Sequence, residues 1–151
     1  MSDEFNVISV IGLGYVGLPT AAVIANRGIQ VVGVDINPDV VATITRGETP
    51  LVESDLDTLV KSGVFSGKLK AVLTPEPADV YLISVPTPFK DGHIPDLSYL
   101  QTAINNLAPV ISKGNLIILE STSPVGTTER VRDWLSIARP NLALPGDAAN
   151  P

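Results

Sequence analysis

Gly12-Leu13-Gly14-Tyr15-Val16-Gly17 sets three glycines at the spacing G-x-G-x-x-G. Asp35 stands about 20 residues further on. In such a loop the first glycine permits a tight turn and the second lets a pyrophosphate reach the backbone. The third lets a helix pack closely on its strand. The helix that opens there offers free N–H groups and partial positive charge, so phosphate can be held locally in a chain whose formal charge is −6. Glycines alone mark any tight turn, and a turn without a ligand is the plainer reading. The context that separates the two is a strand before the loop, a helix after it and an acid closing the next strand. Asp35 fits that last place, where a carboxylate accepts from both hydroxyls of an adenosine ribose. Ile36-Asn37-Pro38-Asp39-Val40 brings no cation and adds a second acid. A 2′-phosphate would be repelled there, which favours NAD over NADP. The competing reading is that Asp35 only caps the loop.

Two further stretches carry hydroxyls. Val85-Pro86-Thr87-Pro88-Phe89 follows an apolar run and holds Thr87 between prolines. Spacing leaves a cofactor contact and an ordinary proline-rich turn equally open. Glu120-Ser121-Thr122-Ser123-Pro124-Val125-Gly126-Thr127-Thr128 crowds the hydroxyls of Ser121, Thr122, Thr127 and Thr128 at one expected helix start. That is a place for phosphates or a nicotinamide ribose, although simple capping accounts for at least one of the four.

The elements that must position these residues are legible as alternating runs. Strands are expected at Asn6 to Ile11, Gln30 to Asp35, Lys70 to Leu73 (weakly), Val80 to Val85 and Leu116 to Glu120. Helices are expected at Tyr15 to Arg27, closed by Gly28, and from Asn37-Pro38 to Arg46, where a capping side chain precedes proline. Ser54-x-x-Asp57 resembles a capping box for a helix to about Ser62. Pro86 to Pro95 reads as a loop, Asp96 as a cap for a helix to about Ile111, and Gly126 to Ala138 as the last helix. Strands that are apolar almost throughout and alternate with helices imply an α/β, Rossmann-like doubly wound parallel sheet, truncated before the end of its second half. A naturally short five-strand protein is the alternative. The expected organisation is an NAD-binding domain over 1–140 and a truncated loop or linker over 141–151, with central and substrate domains absent.

Composition closes several classes. At 44% apolar and 17% charged over 151 residues, the chain suits one globular domain. It has no cysteine, hence no thiol chemistry, and one histidine, His93, which argues against a histidine-rich metal site. The net charge and scattered lysines and arginines argue against nucleic acid. Apolar runs such as Leu116-Ile117-Ile118-Leu119 are strand-sized, which argues against a membrane span. The acidic start, Met1-Ser2-Asp3-Glu4, argues against secretion and for a cytoplasmic protein.

Gly12 to Pro19, Val34-Asp35-Ile36-Asn37, Pro86-Thr87-Pro88 and Ser121-Thr122-Ser123-Pro124-Val125-Gly126 together resemble the UDP-glucose/GDP-mannose dehydrogenase family. Thr45-Arg46-Gly47-Glu48, Pro86-Thr87-Pro88-Phe89-Lys90, Pro95-Asp96 and Leu119 to Gly126 resemble the branch acting on UDP-N-acetylmannosamine. The resemblance runs from Asn6 to about Pro140. It implies a four-electron oxidation of the C6 alcohol of a UDP-sugar to a carboxylate with two NAD, in a homo-oligomeric full-length enzyme of polysaccharide biosynthesis. A cysteine would hold the aldehyde as a thiohemiacetal and then a thioester, assisted by a lysine, an asparagine and a glutamate beyond the NAD domain. Carried over by motif, Tyr15, Val16, Asp35, Thr87, Thr122 and Thr128 would line the NAD site. The cysteine, the lysine and that glutamate have no match here, so no catalytic residue is expected within the chain. Val40 also stands where some relatives place a lysine.

Two other classes compete. A methyltransferase carries a similar loop and acid, but usually as G-x-G-x-G, and Gly17 argues against it. A free-standing nucleotide sensor is the other. Within the same class, a 6-dehydrogenase for UDP-glucose, UDP-N-acetylglucosamine or GDP-mannose is the alternative.

Overall fold

A computed structural model describes residues 5–146. Five strands, β1 (Val7–Ile11), β2 (Gln30–Val34), β3 (Leu69–Val72), β4 (Val80–Ile83) and β7 (Leu116–Leu119), form one parallel sheet in the order β3-β2-β1-β4-β7. The order steps outward from β1 in both directions, so the chain reverses at the boundary between β1 and β4. That boundary is where such sheets bind ligands.

Helices cover both faces. On one side α1 (Gly17–Asn26), α2 (Pro38–Thr45) and α3 (Leu56–Phe65) enclose Val10, Leu13, Leu18, Ala21, Val31, Val60 and Leu69. On the other, α4 (Ser98–Leu107) and α5 (Thr127–Ala138) pack on Ile11, Val32, Tyr81, Ile83, Ile104 and Leu135. Burial on both faces explains why the central strands read as unbroken apolar runs. α1 can lie close to the sheet because its buried face is Gly17, Ala21, Ala22 and Ala25 with one large side chain, Leu18. Gly33 serves the same closeness, since a Cβ there would stand 2.9 Å from Leu13 Cδ2.

Local chemistry sets the helix ends. Asn37 caps α2 by accepting from the Asp39 N–H at 2.9 Å, with Pro38 at the first helical position. The expected capping box before α3 does not form. Its N-cap is Asp55, at φ 64° and with no side-chain cap bond. Aspartate tolerates this left-handed conformation better than most residues, so the turn is set by backbone rather than by Ser54. α3 also runs on to Phe65. Asp96 accepts from the Ser98 N–H at 3.0 Å, as a cap would, but α4 ends at Leu107 rather than near Ile111. Arg139 then donates to the Ala108 and Ile111 carbonyls, at 2.6 and 2.9 Å.

The segment expected to be a plain loop from Pro86 to Pro95 contains a small hairpin. β5 (Phe89–Lys90) and β6 (Ile94–Pro95) pair antiparallel across one 3-10 turn, Asp91–His93. The Asp96 N–H donates to the Pro88 carbonyl at 2.7 Å, and Lys90 pairs with Asp96 at 3.1 Å. Hydrogen bonds from Ser98, aided by Lys90, hold the Asp96 carboxyl below the usual carboxylate range. At the opposite end of the sheet, the N–H groups of Val7 and Asn6 do the same for Asp79. No described helix is long and apolar enough to cross a membrane. Of the expected linker, 141–151, the structure describes 141–146, with Leu144 buried, and the rest lies outside the described residues.

Candidate cofactor site

The register of the sheet builds the site. Ile11 aligns with Val34 and Ile83, Val34 with Val72, and Ile83 with Leu119. The residues that follow the five strands therefore stand along one edge: Gly12, Asp35, Leu73, Ser84 and Glu120. All five line a single cleft of about 900 Å³. That volume lies within the ordinary range for small-molecule sites, and the position is the carboxyl edge at the strand-order reversal.

The three glycines of the loop do three different things. Gly12 turns at φ +92°, donates to the Val34 carbonyl at 2.8 Å, and has room for no side chain. A Cβ there would meet the Ser84 carbonyl oxygen at 2.7 Å. Gly17 is buried behind the loop, where a Cβ would lie 1.8 Å from the Gly12 carbonyl oxygen. Gly14 faces the cleft, and a Cβ there would touch nothing within 4 Å. Its missing side chain serves no internal contact, and the backbone there is open to the cleft. Behind Gly14, α1 begins without a side-chain cap and without an acid in its first turn. Its N-terminal dipole is thus left for an anion. Tyr15 and Val16, 72% and 55% exposed, line the cleft beside it.

Asp35 ties the loop and also lines the cleft. Oδ2 accepts from the Leu13 N–H and Oδ1 from the Asn37 N–H, each at 2.9 Å, so the carboxylate ties the glycine loop to the end of β2. It also lines the cleft, and each oxygen has a second lone pair for a ribose hydroxyl. Among the described residues, no lysine, arginine or histidine lines the cleft with it. A 2′-phosphate would find a carboxylate and no cation.

On the other side of the reversal, Thr87 Oγ1 donates to the Thr122 carbonyl and Ser121 Oγ to the Val85 carbonyl at 2.7 Å. These two bonds join the loops after β4 and β7. Thr87 and Thr122 both line the cleft. Thr127 is buried and donates to the Pro124 carbonyl at 2.7 Å, as a local turn. Thr128 is exposed and does not line the cleft. One residue along a helix is a rotation of about 100°, which carries it away from the face that Thr127 presents to the core.

Sequence reasoning missed one wall. Tyr99, Thr102, Ala103 and Asn106 of α4 also line the cleft, with the apolar Ile36, Leu73 and Pro75. Their spacing of three and four residues is a helical stripe, but a mostly polar one reads as a solvated face. It also missed Ser84, whose Oγ donates to Glu120 Oε2 at 2.6 Å.

The family model described as "UDP-glucose/GDP-mannose dehydrogenase family, NAD binding domain" matches residues 6–145. The chain is 57% identical to the UDP-N-acetyl-D-mannosamine dehydrogenase of Escherichia coli over 142 residues, which is 94% of this chain and 34% of that protein. It is 56% identical, with the same shares covered, to the NDP-N-acetyl-D-galactosaminuronic acid dehydrogenase of Ralstonia nicotianae. The solved UDP-D-ManNAc dehydrogenase of Pyrococcus horikoshii superposes with a TM-score of 0.85 at 40% identity, over 91% of this chain and 33% of that one. The chain thus spans about a third of the length of these relatives. With an α/β fold, a glycine loop at the strand-order reversal and a match over nearly its whole length, the chain belongs to the UDP-glucose/GDP-mannose dehydrogenase family, as its NAD-binding domain.

Proposed function

We propose that this chain holds NAD for the oxidation of the C6 alcohol of a UDP-sugar to a uronate, with UDP-N-acetylmannosamine as the sugar. The observation that carries the reading is the single edge on which Gly14, Asp35, Thr87 and Thr122 line one cleft containing no cation. The α1 N-terminus and the bare backbone at Gly14 take the pyrophosphate. Asp35 takes the adenosine ribose, and Thr87 and Thr122 take the nicotinamide half. The volume, the uncapped helix and the open space at Gly14 fit this group. When bound, NAD supplies the hydride acceptor.

In this reading the sugar pocket belongs to the part of the relatives that this chain does not cover, since it spans 34% of one of them. Within it, residues 1–140 are the cofactor domain and 141–151 the start of a connection to the sugar-binding part. No cysteine occurs to hold an aldehyde between two oxidations. The chain alone therefore binds cofactor and turns over no sugar. The assembled enzyme is a cytoplasmic homo-oligomer that supplies uronates for polysaccharide synthesis.

The sugar is the finer part of the proposal. Relatives of nearly equal identity carry the names of an N-acetylmannosamine and an N-acetylgalactosamine enzyme. The test is calorimetric titration of the purified chain with NAD and with NADP, beside NADH production by the longer enzyme from a panel of UDP-N-acetylhexosamines. Binding of NAD alone, with fastest turnover of UDP-N-acetylmannosamine, is the expected result. Equal binding of NADP would overturn the cofactor reading, and a different preferred sugar would overturn the substrate.

A further inference from the structure

The cleft contains a second carboxylate that phosphate binding does not explain. Glu120 follows β7, is exposed, and lines the cleft. Its Oε2 accepts from Ser84 Oγ at 2.6 Å. Ser84 closes β4 directly beside the glycine loop, its carbonyl filling the space where Gly12 lacks a side chain. The pairing of Ile83 with Leu119 thus sets Glu120 beside Ser84 on the same edge of the sheet. Among the described residues, no lysine, arginine or histidine lines the cleft to balance it. A bound pyrophosphate adds two negative charges nearby, which makes an unbalanced carboxylate unfavourable.

Position resolves the conflict. Asp35, at the end of β2, marks the adenosine side and Gly14 the pyrophosphate. Glu120 stands three strand spacings from Asp35, about 14 Å across the sheet, on the opposite side of the glycine loop. The group of a dinucleotide that reaches this side is the nicotinamide. Its ring is cationic when oxidised and neutral when reduced. It is the one part of the cofactor that a carboxylate attracts in one redox state and not in the other.

We infer that Glu120, positioned by Ser84, is a specificity residue that makes the site favour oxidised over reduced cofactor. The inference rests on the reading of this cleft as the NAD site. A ribose contact by the same carboxylate would strengthen both forms alike, because the sugar does not change on reduction. A charge contact strengthens NAD only. Glu120 is exposed, and one pair of unit charges about 4 Å apart, screened as in bulk water, corresponds to a ratio change of about five- to tenfold.

The experiment measures affinities of NAD and NADH for the purified protein by calorimetry, for wild type, Glu120→Gln and Ser84→Ala. Melting temperatures confirm that each variant is folded, and Glu120→Gln keeps the size and the acceptor for Ser84. The expected result is a five- to tenfold loss of NAD affinity in Glu120→Gln with NADH unchanged. Ser84→Ala should move the ratio in the same direction by less. Equal weakening of both cofactors, or no change in either, overturns the inference and leaves the cofactor site intact. Failure of wild type to bind either form overturns the site assignment and this inference with it.

Discussion

Gly14 and Gly17 lie three residues apart in one motif, and the structure gives them opposite consequences on substitution. At Gly17 an added methyl would stand 1.8 Å from the Gly12 carbonyl oxygen and 3.3 Å from Ser84 Cβ. Carbon atoms do not approach backbone oxygen closer than about 3 Å. The first turn of α1 must therefore retreat by more than about 1 Å. Leu18, Ala21, Ala22 and Ala25, none more than 1% exposed, move with it. Overpacking of this kind costs about 1–3 kcal/mol, and a backbone oxygen that cannot rotate away puts Gly17→Ala at or above the upper end. For a chain of this size that is a melting temperature lower by roughly 6–12 °C. At Gly14 the same methyl meets nothing within 4 Å, and no left-handed backbone stands in its way. Gly14→Val should melt within a few degrees of wild type but lose NAD affinity at least tenfold. Thermal melts followed by circular dichroism and by Trp134, the one tryptophan, would be run beside NAD calorimetry. A Gly17→Ala protein as stable as wild type would refute the packing argument. A folded Gly14→Val protein that binds NAD normally would refute the pyrophosphate placement.

Asp35→Ala should weaken NAD and narrow its advantage over NADP. It should also destabilise the fold by about 1–3 kcal/mol, because the half-buried Leu13 N–H loses its acceptor. Unchanged cofactor preference would assign selection to another residue. Thr87→Val removes the tie to the Thr122 carbonyl and should cost about 1 kcal/mol of NAD affinity, measured by calorimetry; a value within error of zero rejects it. Asp79 has its folded pKa lowered by the Val7 and Asn6 N–H groups, so its contribution is complete above the ordinary value of 3.8 and fades as pH falls through the lower folded value. Asp79→Asn should therefore flatten the acid side of a stability–pH profile and leave its neutral side parallel to wild type. An unchanged acid slope would show that these bonds are not coupled to folding.

The alternating strands and helices were legible because a parallel sheet covered on both faces writes itself as apolar runs between helical stretches. Glycine positions were legible for the same local reason: a turn, an approach and a close packing each exclude a side chain. The Phe89–Pro95 hairpin was not, since two-residue strands flanked by prolines carry no alternation to read. The cap of α3 was misplaced because Asp55 enters the left-handed region, and sequence shows only that Ser54 and Asp57 have capping side chains. Ser84 and Glu120 are 36 residues apart and meet only when β4 and β7 pair in one register. Thr128 shows the limit from the other side. Four hydroxyls near a helix start look equivalent in sequence, and the turn of α5 separates Thr127 in the core from Thr128 in solvent.

The double engagement of Asp35 has a consequence for how this site can change over generations. If Asp35 faces the adenosine ribose as proposed, a lineage drifting from NAD toward NADP must first give up a carboxylate that would repel the extra phosphate. Here that same carboxylate is the clasp between Leu13 and Asn37. Alanine or glycine at 35 would loosen the phosphate turn before any new preference had formed. Asparagine and serine keep an acceptor for the Leu13 amide and discard the charge, so they are the stepping stones the backbone permits. An arginine beside them, at Ile36 or Val40, becomes useful only afterwards. Laboratory selection for NADP use should therefore fix the neutral acceptor first and the cation second.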